Sequence, residues 1–171
     1  MSDDFNRKYK KHKNIATTDI VVYKIGYKCN DTFHPYHRSL FEYEANKHNA
    51  EVELYKHKDN FGGRFNFIRI EAGYHSYSDD CIVDINLYNH NHIHIALYGD
   101  DNEMHYRMAY TLSDTCVISK FIIPKGSEYY RNNIGAIVSS NIIWTGEIMN
   151  IDAKYRGKQF KLCEYNNFLN N

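Results

Sequence analysis

The segment that most constrains this chain is Phe121-Ile122-Ile123-Pro124-Lys125-Gly126-Ser127-Glu128-Tyr129-Tyr130, followed after a polar break by Ile137-Val138-Ser139-Ser140-Asn141-Ile142-Ile143-Trp144. A β-branched run stopped by proline and glycine, then two tyrosines, a break and a second apolar run, spells strand, corner, short strand, turn and strand. Proline removes an amide from the ladder and glycine accepts left-handed dihedrals, so the chain turns at residues 124–126. This unit is architecture before it is chemistry.

The remaining segments read in the same idiom. Ile20-Val21-Val22-Tyr23-Lys24-Ile25-Gly26-Tyr27 is β-branched and aromatic without clean alternation, the pattern of a central strand covered on both faces. Residues 29–37, polar around Pro35, read as a loop. Residues 39–48 have helical spacing, with Leu40, Tyr43 and Lys47 on one side and Ser39 as the cap. Strands are expected at 51–55 and 64–71, separated by the turn at 59–63, and residues 73–78 read as a glycine-led turn carrying polar aromatics. Residues 79–88 fit either a short helix capped by Ser78 or a strand through Cys81, Val83 and Ile85. Residues 92–98 form a clearer strand, with 100–102 as turn and 104–112 as its hairpin partner. After the corner unit, 146–155 continues as strand, Gly157 breaks it, and a tail docks through Phe160, Leu162, Tyr165 and Phe168. Strands outnumber helices, so the expected fold is α+β and mainly antiparallel β: a single compact twisted sheet with one or two short helices.

At 171 residues the chain suits one domain. Residues 1–18, polar and basic through Arg7, Lys8, Lys10, Lys11 and Lys13, are expected to form a flexible arm, with the β-rich domain at 19–171. Lys plus Arg balance Asp plus Glu at 21 each, so no global field draws in nucleic acid or an anionic membrane, and only the basic arm offers phosphate contacts. The 16 tyrosines are rigid amphipathic contacts suited to a binding surface, or a product of AT-rich codons. Cys29, Cys81, Cys116 and Cys163 form no CxxC pair, and no apolar run approaches the roughly 20 residues needed to span a bilayer. A soluble, reducing compartment is the simplest expectation.

Three clusters carry candidate chemistry. His90, His92 and His94 share one strand face at about 7 Å spacing, which lets two imidazoles reach one metal ion; a solvated polar face needs the same alternation. His75, Ser76 and Tyr77, beside Tyr23 and Lys24, combine stacking and hydrogen-bonding groups suited to a nucleotide-like ligand, and equally make an ordinary turn. Lys125 with Tyr129 places a cation and a ring at a glycine corner that can meet an anion, without the spacing of a P-loop. No Gly-x-Ser-x-Gly elbow and no cysteine-histidine pairing is present, so no catalytic residue is assigned.

The corner unit, with Val22-Tyr23-Lys24 before it and Gly73-Tyr74-His75-Ser76 between, resembles small uncharacterised proteins of tailed bacteriophages and large DNA viruses. That resemblance implies a virus-encoded protein working in the host cytoplasm. The same order is faintly similar to ADP-ribosyltransferases, with Tyr77-Ser78 near the family's Ser-Thr-Ser strand. That similarity implies NAD as cofactor and a catalytic glutamate within 135–138, where no acidic residue stands; Glu128 and Glu147 are the nearest. The expectation is therefore an accessory protein that binds a host or viral protein, or a nucleotide-like small molecule, without catalysis or cofactor. The alternatives are an NAD-using transferase and a minor virion component.

Overall fold

The computed structural model describes residues 13–35, 42–49, 76–89, 92–98, 104–111, 116–131, 136–139, 141–151 and 153–164. Its strands are β1 (Lys13–Ile15), β2 (Ile20–Cys29), β3 (Thr32–Pro35), β4 (Tyr43–Glu44), β5 (His48–Asn49), β6 (Ser76–Ser78) and β7 (Ile82–Asn89), then β8 (His92–Tyr98), β9 (Met104–Thr111), β10 (Cys116–Ile123), β11 (Glu128–Arg131), β12 (Ala136–Val138), β13 (Ile142–Asn150) and β14 (Lys158–Lys161). Helix among the described residues is limited to two single 3-10 turns, Ala153–Tyr155 and Leu162–Glu164. All the pairings are antiparallel, as the alternating pattern required.

The strands divide into two hydrogen-bonded sheets instead of one. Ten lie in the order β1-β11-β12-β6-β2-β10-β13-β5, with β3 and β4 branching from β2, and four in the order β14-β7-β8-β9. The larger sheet curls, because residues 43–49 run from β3 across to β13, where Asn46 N–H donates to Trp144 O at 2.7 Å. Inside the curl lies one core, built on Val22, Phe33, Tyr43, Val117, Phe121, Ile123, Ile137, Ile142 and Trp144. On its other face Tyr23, Ile25, Tyr77, Cys116, Ile118 and Met149 pack against Val83, Ile85, Ile93, Ile95, Leu97 and Phe160 of the smaller sheet. Strands β2 and β10 lie between the two cores, and this is why Ile20-to-Tyr27 lacks a polar face.

The corner at Pro124 forms as read. Ser127 N–H donates to Pro124 O at 3.1 Å, and Gly126 takes φ +89°, the left-handed residue that such a turn demands. Polar residues of the unit fasten it. Lys125 N–H donates to Asp19 Oδ1 at 2.9 Å, Asn141 Nδ2 donates to Ser127 Oγ at 2.9 Å, and Ser139 Oγ donates to Glu128 O at 2.8 Å while accepting from Asn141 N–H at 3.1 Å. Ser139→Ala strands two backbone groups at a fully buried position, so chemical denaturation is expected to show a loss of about 1–3 kcal/mol.

Several expectations are corrected. Residues 29–35 are not a loop: β2 turns at Asn30, whose φ of +54° asparagine tolerates, into a hairpin with β3, and Pro35 ends that strand opposite Gly26. The helix over 39–48 is absent from its described part, where 43–49 form two short strands and Tyr43 is sunk beside Phe33 and Phe121. Of the alternatives for 79–88, the strand is the outcome; Cys81, Val83 and Ile85 all enter the core. The strand expected over 146–155 stops at Asn150. Within the arm expected at 1–18, Lys13–Ile15 pair with β11 and Ala16 is buried, held by hydrogen bonds to Gly126 and Ser127. Of the glycine-led turn expected over 73–78, the described part, Ser76–Ser78, is instead strand β6, claimed by its pairing with β2 and β12. Residues 1–12, the strands expected at 51–55 and 64–71, the turns at 59–63 and 100–102, residues 73–75, and Tyr165 and Phe168 lie outside the described residues.

Candidate functional site

The residues singled out around Tyr23 meet on β2 and β6 and are then divided by the pleat. Tyr23 stands opposite Tyr77 on β6 and Lys120 on β10. Both rings are buried in the core between the sheets. Lys24 and Ser76 point the other way: Lys24 alternates with Tyr23 next to Val22, and Ser76 pairs with Ile137, which faces the interior of the curl. Carrying the β2–β6 register one residue further sets Ser76 opposite Lys24, and on the other side Lys24 pairs with Ser119. The interior thus holds a polar row, Ser76, Lys24 and Ser119, on three adjacent strands. Lys24 is only 2% exposed and the two serines are fully buried.

This row lies where the sheet forks. Along one edge of β2, residues 22 and 23 pair with β6 while 26–29 pair with β3; the other edge stays paired with β10 from residue 20 to residue 27. Among the described residues, Lys24 and Ile25 lie between the two partners. Next to the row a bulge in β13 sets residues 145–147 against Lys120, as the partner of β10 passes from Ile148 opposite Ser119 to Trp144 opposite Phe121. Gly146 takes φ +86° there, and Thr145 Oγ1 donates to Lys120 O at 2.8 Å. Trp144 is thereby turned into the curl, its ring centroid 6.0 Å from that of Phe33.

Ser76 Oγ, Ser119 Oγ and Trp144 Nε1 are buried with no hydrogen-bond partner among the described residues. Leaving one such group unpaired costs about 1–3 kcal/mol, so three in the buried interior need explaining. Sequence reasoning found Lys24 and Ser76 but missed Ser119 and Trp144. The available signal was a serine inside the apolar run 116–123 of a strand covered on both faces, which leaves its hydroxyl nowhere to go but inside.

On the opposite face the Tyr23 hydroxyl is pushed up to about 12, first by burial and then by the negative charges of Asp79, Cys163 and Glu147. At neutral pH it holds its proton. Glu147 is itself paired with Lys120 at 3.4 Å. Because the folded-state value lies above the ordinary 10, the contribution of Tyr23 to stability is complete below pH 10 and is lost as pH rises from 10 through 12. Alkaline denaturation of the parent and of Tyr23→Phe is expected to show the difference confined to that window, the substituted protein losing less stability across it.

The other candidates lie apart. Lys125 is exposed at the corner, and Tyr129 packs at the margin of the curl's core. His92 and His94 are half-buried on the polar face of β8, and no group of three metal-ligating side chains occurs among the described residues. His75 and His90 lie outside the described residues. Glu128 begins β11 and gives its carbonyl to Ser139. No helix among the described residues is long and apolar enough to cross a membrane. No family model, no curated protein and no solved structure matches the chain.

Proposed function

We propose that the protein acts by binding, without catalysis, and that its ligand is a small polar molecule held at the sheet fork inside the curl. One observation carries this reading: two buried serine hydroxyls without a partner among the described residues, those of Ser76 and Ser119, flank Lys24 on the strands that meet there, and the unpaired indole N–H of Trp144 lies on β13 across β10. A guest or bound solvent that hydrogen-bonds to them removes a desolvation cost the folded chain otherwise bears. The protonated state of Tyr23 on the opposite face agrees with it, since a phenol held near 12 is a hydrogen-bond donor and not a base. The viral and cytoplasmic setting implied by the corner unit's resemblance belongs to the same proposal, in which the protein serves as an accessory factor to its virus.

A thermal-shift panel of nucleotides, small organic acids, sugars and amino acids tests the reading. A true ligand at about a hundred times its Kd adds roughly 2.7 kcal/mol, and melting rises by about 2–4 °C for each kcal/mol in a chain of this size. A panel in which nothing raises the melting temperature overturns it. Release of nicotinamide from NAD by the purified protein overturns the absence of catalysis and restores the transferase alternative.

A further inference from the structure

The four-stranded sheet has a second face that the core does not use. Strand alternation sends Val83, Ile85, Ile93, Ile95 and Leu97 inward, so the residues between them point out. Pairing lines these up in rows across the sheet, Tyr98 with Ile82 and Lys161, and His94 with Asn86. Asn86 and Lys161 are exposed, while Tyr98, His94 and His92 are half-buried. Along β8 this face therefore carries three rings at steps of about 7 Å, with only the methyl of Ala96 between His94 and Tyr98.

The β14 edge of the same sheet holds a local excess of positive charge that the balanced total conceals. Arg156, Lys158 and Lys161 are exposed, and among the described residues none of the three is in an ion pair. Lys154 beside them lies over the Tyr155 ring at 5.0 Å, and residues 153–163 include no acidic side chain. The two nearby carboxylates are engaged: Asp84 Oδ1 accepts from Asn86 Nδ2 at 2.8 Å, and Glu164 Oε1 accepts from Lys161 N–H at 3.2 Å.

Rings on a flat sheet bordered by cations suit a polyanion whose flat groups are free to stack, because a base offers a π-face and its phosphate a charge. A duplex hides those faces. An anionic membrane fits less well, since Phe160 and Leu162 of this edge are buried and supply no apolar anchor. Strands β8 and β14 stand two strands apart, about 10 Å, a separation of the order of one nucleotide. We infer that this face binds single-stranded nucleic acid, with bases resting on Tyr98 and His94 and the backbone following Arg156, Lys158 and Lys161. The surface lies on the smaller sheet, apart from the fork, and does not depend on it.

The test titrates the full-length protein into a short fluorescently labelled oligothymidylate and reads anisotropy. Three phosphate contacts give a log–log salt slope of about −2, so affinity is expected to fall about twentyfold from about 50 to about 200 mM salt. Replacing Lys158 and Lys161 together by Gln brings the slope to about −0.7. Tyr98→Ala weakens binding about 5- to 150-fold with the slope unchanged, and Tyr98→Phe, which keeps the ring, binds like the parent. Circular dichroism establishes folding; if Tyr98→Ala is unfolded, His94→Ala carries the same expectation. Equal affinity for the fully paired duplex overturns the inference, as does a Tyr98→Ala protein that binds like the parent. So does the absence of any anisotropy change at the lower salt.

Discussion

A Phe121→Ala protein is expected to melt far below the parent. Phe121 is fully buried where four other strands of the curl meet β10, in edge-on contact with Phe33 at 5.4 Å and with Tyr43 at 4.9 Å between ring centroids. Its neighbours belong to β3 and β4 on one side, while Val22 and Trp144 flank it on β2 and β13. Those strands are fixed by their ladders, so they close only partly over the space left behind. Removing such a ring costs about 3–5 kcal/mol, and at about 2–4 °C for each kcal/mol the melting temperature falls by roughly 6–20 °C. A calorimetric shift below about 3 °C contradicts the placement of Phe121 in the curl.

Gly26→Ala is expected to act as strongly by the opposite route, overfilling instead of emptying. A Cβ at this position falls 2.1 Å from the carbonyl oxygen of His34 and 2.8 Å from the Phe33 ring. The first is a backbone atom of the paired strand and cannot swing aside, so β3 has to separate from β2 at the base of the hairpin. Overpacking a well-ordered core costs about 1–3 kcal/mol when side chains give way; with backbone as the obstacle, the upper end of that range or more applies. Urea unfolding is expected to show the loss in the midpoint. A substituted protein as stable as the parent rules out the β2–β3 register.

The two results probe one design from both sides, and they show which parts of it can be read in the residues. The mixed apolar run from Ile20 to Tyr27 signals a strand with no wet face, and β2 has none between its cores. Pro124 and Gly126 act locally, through a missing amide and a positive φ, so their corner was legible without knowing what surrounds it. The pairing of 92–98 with 104–111 was legible for the same reason, as neighbouring alternating runs joined by a polar turn.

What escaped depends on distant partners. Leu40, Tyr43 and Lys47 have helical spacing, but Tyr43 is claimed by Phe33 and Phe121, and rings from two other strands outweigh a weak local preference. Pro35 reads as the middle of a loop because nothing local announces that it stands opposite Gly26 across the ladder. The same holds for the site. Tyr23, Lys24, Ser76 and Tyr77 were grouped by chemistry, and the fold keeps them adjacent yet sends the two rings into one core and the lysine and serine into the other. Ser119 joins Lys24 only through the β2–β10 register, which no motif encodes.

Everything proposed for the fork depends on Lys24 lying inside the curl, closed from solvent by the strands on either side. Native-state acetylation, read lysine by lysine in a mass spectrometer, measures that directly. Lys125, Lys154 and Lys158, all exposed, are expected to react early, and Lys24, at 2% exposure, only when the protein is unfolded by denaturant. Modification of Lys24 in the folded protein at the rate of Lys125 contradicts the account.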